Sequence, residues 1–253
     1  MGIFKKILAY LSGIVQKFPP SKILKRYLIL FNRDANNAPY AETNRFSLAV
    51  EGVRDPLYFI LVSALLNDLK SCLPLKQHVL FTPSVSLSVG NNLKTKLLRS
   101  FPFSWLVKCQ WLRAYSETTG TANYDKWSLR TAITGLTDWL KVQKLWKDLQ
   151  TSGDISGLYL NDILVGDLII DTYLRYRPSY KFNISDPFVK KLLYQSMRDI
   201  EKANQFFLSK KINVYLTTFS TYIEHGIPCR VALRNRIPVF SYGNAHAFGK
   251  RLQ

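Results

Sequence analysis

The sequence predicts an α/β fold, a parallel sheet flanked by helices and preceded by amphipathic helices, on three observations. Short apolar or β-branched runs alternate with stretches of helical periodicity, the strand–helix rhythm of a parallel sheet. Near the C-terminus the run VYLTTF, a short helical segment and the run PVFSY make one tight βαβ unit. The 253 residues, 47% apolar and 13% aromatic, are enough for a sizeable core.

The elements follow in chain order. Ile3, Phe4, Ile7, Leu8, Leu11, Ile14, Val15 and Phe18 recur at helical spacing, and Lys5, Lys6 and Lys17 lie mostly off that face. Pro19-Pro20 stops this helix. Ser21 is placed to cap a second one, apolar at Ile23, Leu24, Tyr27, Leu28 and Phe31. Residues 1–33 also hold Lys22, Lys25, Arg26 and Arg33 and no acid. A basic amphipathic helix of this kind fits an anionic membrane surface, or equally a helix packed on the domain with its lysines solvated. The stretch between Lys6 and Lys17 is short and no small-x-small site follows it, which is poor for a cleaved signal peptide.

Residues 32–44 read as a polar linker, so residues 1–33 form a membrane-associating segment and residues 34–253 an α/β domain. Phe46–Val50 is a strand ended by Gly52, and Asp55-Pro56 opens a helix through Leu69 that Pro74 closes. His78–Phe81 is a buried strand, residues 83–92 a loop, and Leu93–Arg99 and Trp105–Tyr115 are helices. Residues 116–136 carry no clear pattern. Helices follow over Asp138–Leu149 and from Asp186-Pro187 to about Leu208, then strand Val214–Phe219, helix Pro228–Asn235 and strand Pro238–Tyr242.

Composition narrows the function. Aromatic content argues against disorder, and no window of about 18 residues lacks charge, which excludes a multipass membrane protein. Three cysteines, an odd number, do not make a disulfide scaffold, and they suit a reducing compartment as small buried hydrophobes. The net charge of +18 asks for an anionic partner: nucleic acid, a membrane face or a phosphorylated substrate. The basic excess is strongest on the amphipathic segment and no nucleic-acid motif is present, so nucleic acid is not expected. Zinc-ligand spacing, a P-loop, G-x-G-x-x-G, G-x-S-x-G and D-x-D are all missing from the sequence, and no metal is expected.

Three constellations could carry chemistry. In the segment 157–178, Asp167, Asp171 and Arg175 stand at i, i+4 and i+8, one face of a helix. Two carboxylates on one face repel, which raises proton affinity and suits a general base; a solvated Asp171–Arg175 pair fits the same pattern. In the segment 217–233, Glu224, His225 and the amides near Gly226 follow a strand and precede a helix opened by Pro228, with Arg230 one turn on. Ligands of open α/β sheets bind at such carboxyl edges, and a helix N-terminus suits phosphate; an ordinary βα turn with a bonded histidine is the alternative. The segment 241–252 carries Asn244, His246, Lys250 and Arg251, as a cleft floor or a frayed end. Topology leads us to expect Asp167, Asp171, His225 and the start of the Pro228 helix along one concavity, with Arg175 or Arg230 in reach of a carboxylate.

Taken together, GLYLNDILVGDLIIDTYLR at 157–175, TYIEHGIPCRVAL at 221–233 and IPVFSYGN at 237–244 resemble the N-terminal half of bacterial capsular or surface polysaccharide biosynthesis proteins. Those proteins resemble glycosyltransferases of the two-Rossmann-domain (GT-B) type. The resemblance covers roughly a third of the chain. It implies a Rossmann-like sheet and glycosyl transfer from a nucleotide sugar, as substrate and not cofactor, to a glycan acceptor. It also implies a cytoplasmic protein, peripheral on the inner face of the cell membrane. The nucleotide-sugar site of such enzymes lies mostly in the C-terminal domain, whereas this sequence stops at Gln253, as the first domain would end. The expectation is therefore a truncated enzyme, or an acceptor-side domain that works with a partner. In that setting Asp167, Asp171 and His225 are the base candidates, and Arg175, Glu224, Gly226, Arg230 and Asn244 the substrate-binding ones. The alternative is a non-catalytic membrane-surface module of the same pathway.

Overall fold

The computed structural model describes residues 46–52, 56–72, 75–81, 123–124, 129–177, 179–242 and 250–252. The amphipathic segment 1–33, the linker 32–44, the loop 83–92, the helices expected at 93–99 and 105–115, Asp55, Asn244 and His246 lie outside them. The chain divides into two compact units, one of Met1–Arg45, Val53–Gln77 and Gly90–Tyr124, the other of Phe46–Gly52, His78–Val89 and Asp125–Gln253. Within the first, helix α1 spans Pro56–Cys72, with proline at its first residue, where a missing N–H costs nothing. Val62 and Leu66, one turn apart, are buried.

The second unit is α/β. Strand β1 is Phe46–Glu51 and β2 is Leu75–Phe81, whose last four residues belong here. Strand β3, Asn123–Tyr124, belongs to the first unit. Helix α2 (Leu129–Ser152), hairpin strands β4 (Tyr159–Leu160) and β5 (Ile163–Leu164), and helices α3 (Gly166–Tyr176) and α4 (Pro187–Lys210) follow. Strand β6 (Val214–Thr217), helix α5 (Tyr222–Arg234) and strands β7 (Val239–Ser241) and β8 (Lys250–Leu252) complete it. The order across the sheet is β2-β1-β6-β7-β8. Strands β1, β6 and β7 are parallel, with Val50 beside Leu216 and Leu216 beside Phe240. Strand β8 pairs antiparallel with β7 and places residues 250–252 in an edge strand.

Burial explains the order. Leu48, Ala49, Val50, Tyr215 and Val239 are almost fully buried on the strands, and Leu168, Ile169, Leu192, Leu193, Ile200, Ile223, Ile227 and Val231 on the helices. Phe81, Phe206, Phe207 and Tyr215 pack ring against ring, with centroids 5.0 Å apart for Phe81–Phe206 and 5.2 Å for Phe207–Tyr215. Helix α4 starts as the Asp-Pro pair predicts: Asp186 accepts from the Phe188 N–H at 2.8 Å and Pro187 is its first residue.

Two readings need correction. The polar segment 116–136 hid a helix start, since α2 begins at Leu129 and also runs past Leu149, to Ser152. More consequential is α5, which begins at Tyr222 and carries Pro228 inside it, six residues before the start expected from that proline. An interior proline costs about 3 kcal/mol. Burying Ile223, Ile227 and Val231 on one face is worth about 1.5–3 kcal/mol each and outweighs it.

Candidate functional site

The parallel register lines up three residues at the carboxyl edge: Glu51 ends β1, Thr217 ends β6 and Ser241 ends β7. Glu51 is 1% exposed. A bare carboxylate there would cost several kcal/mol, so its partners decide its state. Its Oε2 accepts from the Thr218 N–H at 2.9 Å and from Thr218 Oγ1 at 2.7 Å. Thr217 Oγ1 lies 2.9 Å from the same oxygen and 2.8 Å from the Phe219 carbonyl, and its one proton serves either acceptor. Oε1 receives the Nδ1–H of His225 at 2.5 Å. Ser241 Oγ donates to the Thr218 carbonyl at 3.0 Å and ties β7 to the same cluster.

The electrostatics of the pair are mutual. Burial disfavours a charged Glu51, but the facing His225 and the Thr218 bonds outweigh it and hold the carboxyl below its ordinary value. Burial likewise opposes a charged His225, and the Glu51 charge and hydrogen bond, with Glu224 adding, raise the imidazole above its ordinary value; Arg175 acts the other way. Both shifts favour the carboxylate–imidazolium form of the pair, and the contact commits Nδ1 to Glu51. Nε2, across the ring, has no hydrogen bond among the described residues, and 8% of the residue's surface is exposed. Phe219 stands edge-on to the ring at 5.6 Å. Cys229 nearby is buried, and burial drives its thiol far above the ordinary range, so it is a hydrophobe rather than a nucleophile.

The other singled-out residues separate. Helices α3 and α5 lie antiparallel: Thr172 Oγ1 accepts from the Ile223 N–H at 2.9 Å, while Asp167 meets Arg230. Asp167 is therefore at the end of α3 away from the carboxyl edge, about 12 Å along the axis from Arg175 at 1.5 Å per residue. Asp167 is thus held on Arg230 and His225 on Glu51, and no hydrogen bond joins Asp167 or Asp171 to His225 among the described residues. Arg230 grips Asp167 through two parallel bonds, Nη1 to Oδ1 at 2.7 Å and Nη2 to Oδ2 at 2.5 Å, and Nη1 also donates to the Leu164 carbonyl. The Arg230 bonds hold the Asp167 carboxyl below its ordinary value, against partial desolvation, which lowers its basicity. Asp171 and Arg175 are exposed on the face they share with Asp167, and they do not pair. Arg175 instead lies over the Tyr222 ring, 4.3 Å from its centroid.

Gly226 is a packing residue of the α5 interior and not a phosphate cradle. A Cβ there would stand 2.6 Å from Leu168 Cδ2 and 2.7 Å from the Ser220 carbonyl oxygen. The amides at the true start of α5 belong to Tyr222–Glu224, and that of Ile223 is spent on Thr172. Glu224 is half-buried beside His225. Asn244 is outside the described residues.

Sequence reasoning missed Glu51 and the Thr217-Thr218 pair. The signal was there: an acid closing an apolar strand, FSLAVE, just before a glycine, at the edge where α/β sheets bind ligands. Among the described residues no three His, Cys, Asp or Glu side chains gather as a metal site, and no helix is long and apolar enough to cross a membrane. Comparison with family models, with curated proteins and with solved structures finds no match to this chain.

Proposed function

We propose that the chain acts in surface polysaccharide biosynthesis, transferring a glycosyl group from a nucleotide sugar to a glycan acceptor at the inner membrane face, with this carboxyl edge as the acceptor side. The observation that carries the reading is the Glu51–His225 pair, a proton-handling group built into the edge of a parallel sheet. With Nδ1 held by the carboxylate, Nε2 is the nitrogen that exchanges protons. In its deprotonated form it takes the proton of an acceptor hydroxyl as that oxygen bonds the anomeric carbon and the nucleoside diphosphate leaves with the electrons of the broken bond. Glu51 stabilises the imidazolium that results. Asp167, bound to Arg230, is the weaker base of the two, and Asp171 is an exposed carboxylate on the same outer helix face. The basic amphipathic segment 1–33 supports peripheral attachment to an anionic bilayer.

The test is transfer from a panel of radiolabelled nucleotide sugars by the full chain, with membranes of the source cell supplying acceptor and any donor-side partner. Label should enter glycan with the wild-type chain and fall at least ~100-fold with His225→Asn. Incorporation no greater than with membranes alone, or undiminished by His225→Asn in a folded protein, overturns the proposal.

A further inference from the structure

Four arginines around this edge and behind it are matched to carboxylates: Arg177 to Asp186, Arg198 to Asp138, Arg230 to Asp167 and Arg234 to Asp162. Arg175 is not. Its contacts are with two rings, Tyr222 at 4.3 Å and Tyr176 at 5.8 Å, and it bonds no carboxylate among the described residues. A guanidinium laid on an aromatic face keeps its five N–H donors in its own plane, directed outward, while the ring holds that plane in position. Such a group is prepared for a tetrahedral oxyanion at a small cost in side-chain entropy.

The platform is fixed by the backbone. Tyr222 is the first residue of α5 and has φ +61°, a left-handed conformation that a tyrosine adopts only where surrounding contacts impose it. The neighbouring Ile223 N–H is anchored on Thr172. Tyr222 and His225 stand three residues apart on α5, neighbouring positions on the helix surface, so the guanidinium over Tyr222 lies on the His225 side of the helix start.

We infer that Arg175, stacked on Tyr222, binds a phosphate group of the substrate beside His225. The inference rests on the carboxyl edge being a substrate site, and not on the identity of the sugar or on transfer itself. Two substrates carry the required group, a nucleoside diphosphate and a lipid-linked phosphate, and the shared chemistry is a phosphate ester.

The experiment is calorimetric titration of the full chain at about 0.15 M ionic strength with inorganic phosphate, uridine diphosphate and monomeric dihexanoyl phosphatidic acid. Binding of at least one probe is expected, weakened ~10-fold or more by Arg175→Gln and less by Arg175→Lys, which keeps the charge and loses the fork. Arg236→Gln makes the same charge change at an exposed residue preceding β7, at the opposite edge, and should leave affinity unchanged. Preference for uridine diphosphate identifies a nucleotide phosphate, and preference for phosphatidic acid a lipid one. No binding of any probe, or equal weakening by Arg175→Gln and Arg236→Gln, overturns the inference. Arg175-dependent binding without any transfer keeps it and removes the glycosyl-transfer reading; transfer with phosphate affinity indifferent to Arg175→Gln does the reverse.

Discussion

His225 and Glu51 meet at 2.5 Å across 174 residues of chain, a buried histidine bonded to a more deeply buried carboxylate. Removing one partner is more harmful than removing both, because a lone buried charge has lost its compensation. His225→Phe should cost about 3–5 kcal/mol in urea unfolding. The double variant Glu51→Gln/His225→Phe should recover a measurable part of that loss. A double variant that is the sum of the two single variants would show that the two side chains are not coupled.

The same pair sets a pH window for stability. Glu51 is held below its ordinary value of 4.5, so its contribution is full above that pH and is lost as pH falls through the lower folded value. His225 is held above its ordinary 6.5, so its contribution is full below that pH and is lost as pH rises through the higher folded value. Glu224 and Arg175 also face the imidazole, with opposite effects. The pair's contribution should therefore be greatest between 4.5 and 6.5, as seen in Tm against pH. Glu51→Gln should flatten this maximum, and an unchanged profile would refute the assignment.

Under the proposed mechanism the transfer rate should rise with pH to an inflection above 6.5, because deprotonated Nε2 is the competent form. Glu51→Gln removes the charge that raises His225 and should move the inflection down while lowering the plateau. Asp167→Asn should leave the inflection in place. An inflection that follows Asp167→Asn and ignores Glu51→Gln would transfer the base role to the aspartate.

The Asp167–Arg230 clamp joins α3 to α5 at the far end from the site. Its side chains are 46% and 28% exposed, so solvent screening limits it. Asp167→Asn should cost no more than about 1 kcal/mol, and less at high salt. A loss of several kcal/mol in urea titration would show the clamp to be a core element.

Gly226→Ala should destabilise by about 1–3 kcal/mol, since the new methyl meets Leu168 and the Ser220 carbonyl below 3 Å. Leu168→Ala in the same chain should relieve only part of the loss, because the carbonyl belongs to the backbone and does not yield. Full rescue would mean that the leucine alone sets the close approach.

Much of the architecture was legible because it is local. The runs Phe46–Val50 and Val214–Phe219 and the Asp186-Pro187 start announce themselves through side-chain pattern and capping chemistry. The start of α5 did not, because HGIP imitates a turn while the burial that extends the helix back to Tyr222 depends on tertiary packing. His225 was legible as a polar residue beside a strand end. Its partner was not, since nothing local links residue 51 to residue 225, and only the β1–β6 register brings them together. Asp167 and Arg230 were each visible, but their mutual bonds follow from the antiparallel course of α3 and α5.

The pairing of β1 with β6 is also the long-range closure on which the site depends. Ser47 N–H donates to the Asn213 side chain at 2.8 Å across a separation of 166 residues, and the Asn213 N–H returns a bond to the Ser47 carbonyl. Closing so long a loop is slow compared with forming the hairpin β4–β5 or packing α4 on α5, whose contacts are near in sequence. Without β1 beside β6, His225 lacks the Glu51 charge and hydrogen bond that raise it. The buried pair at the carboxyl edge therefore depends on a strand meeting another that follows it by about 166 residues of chain.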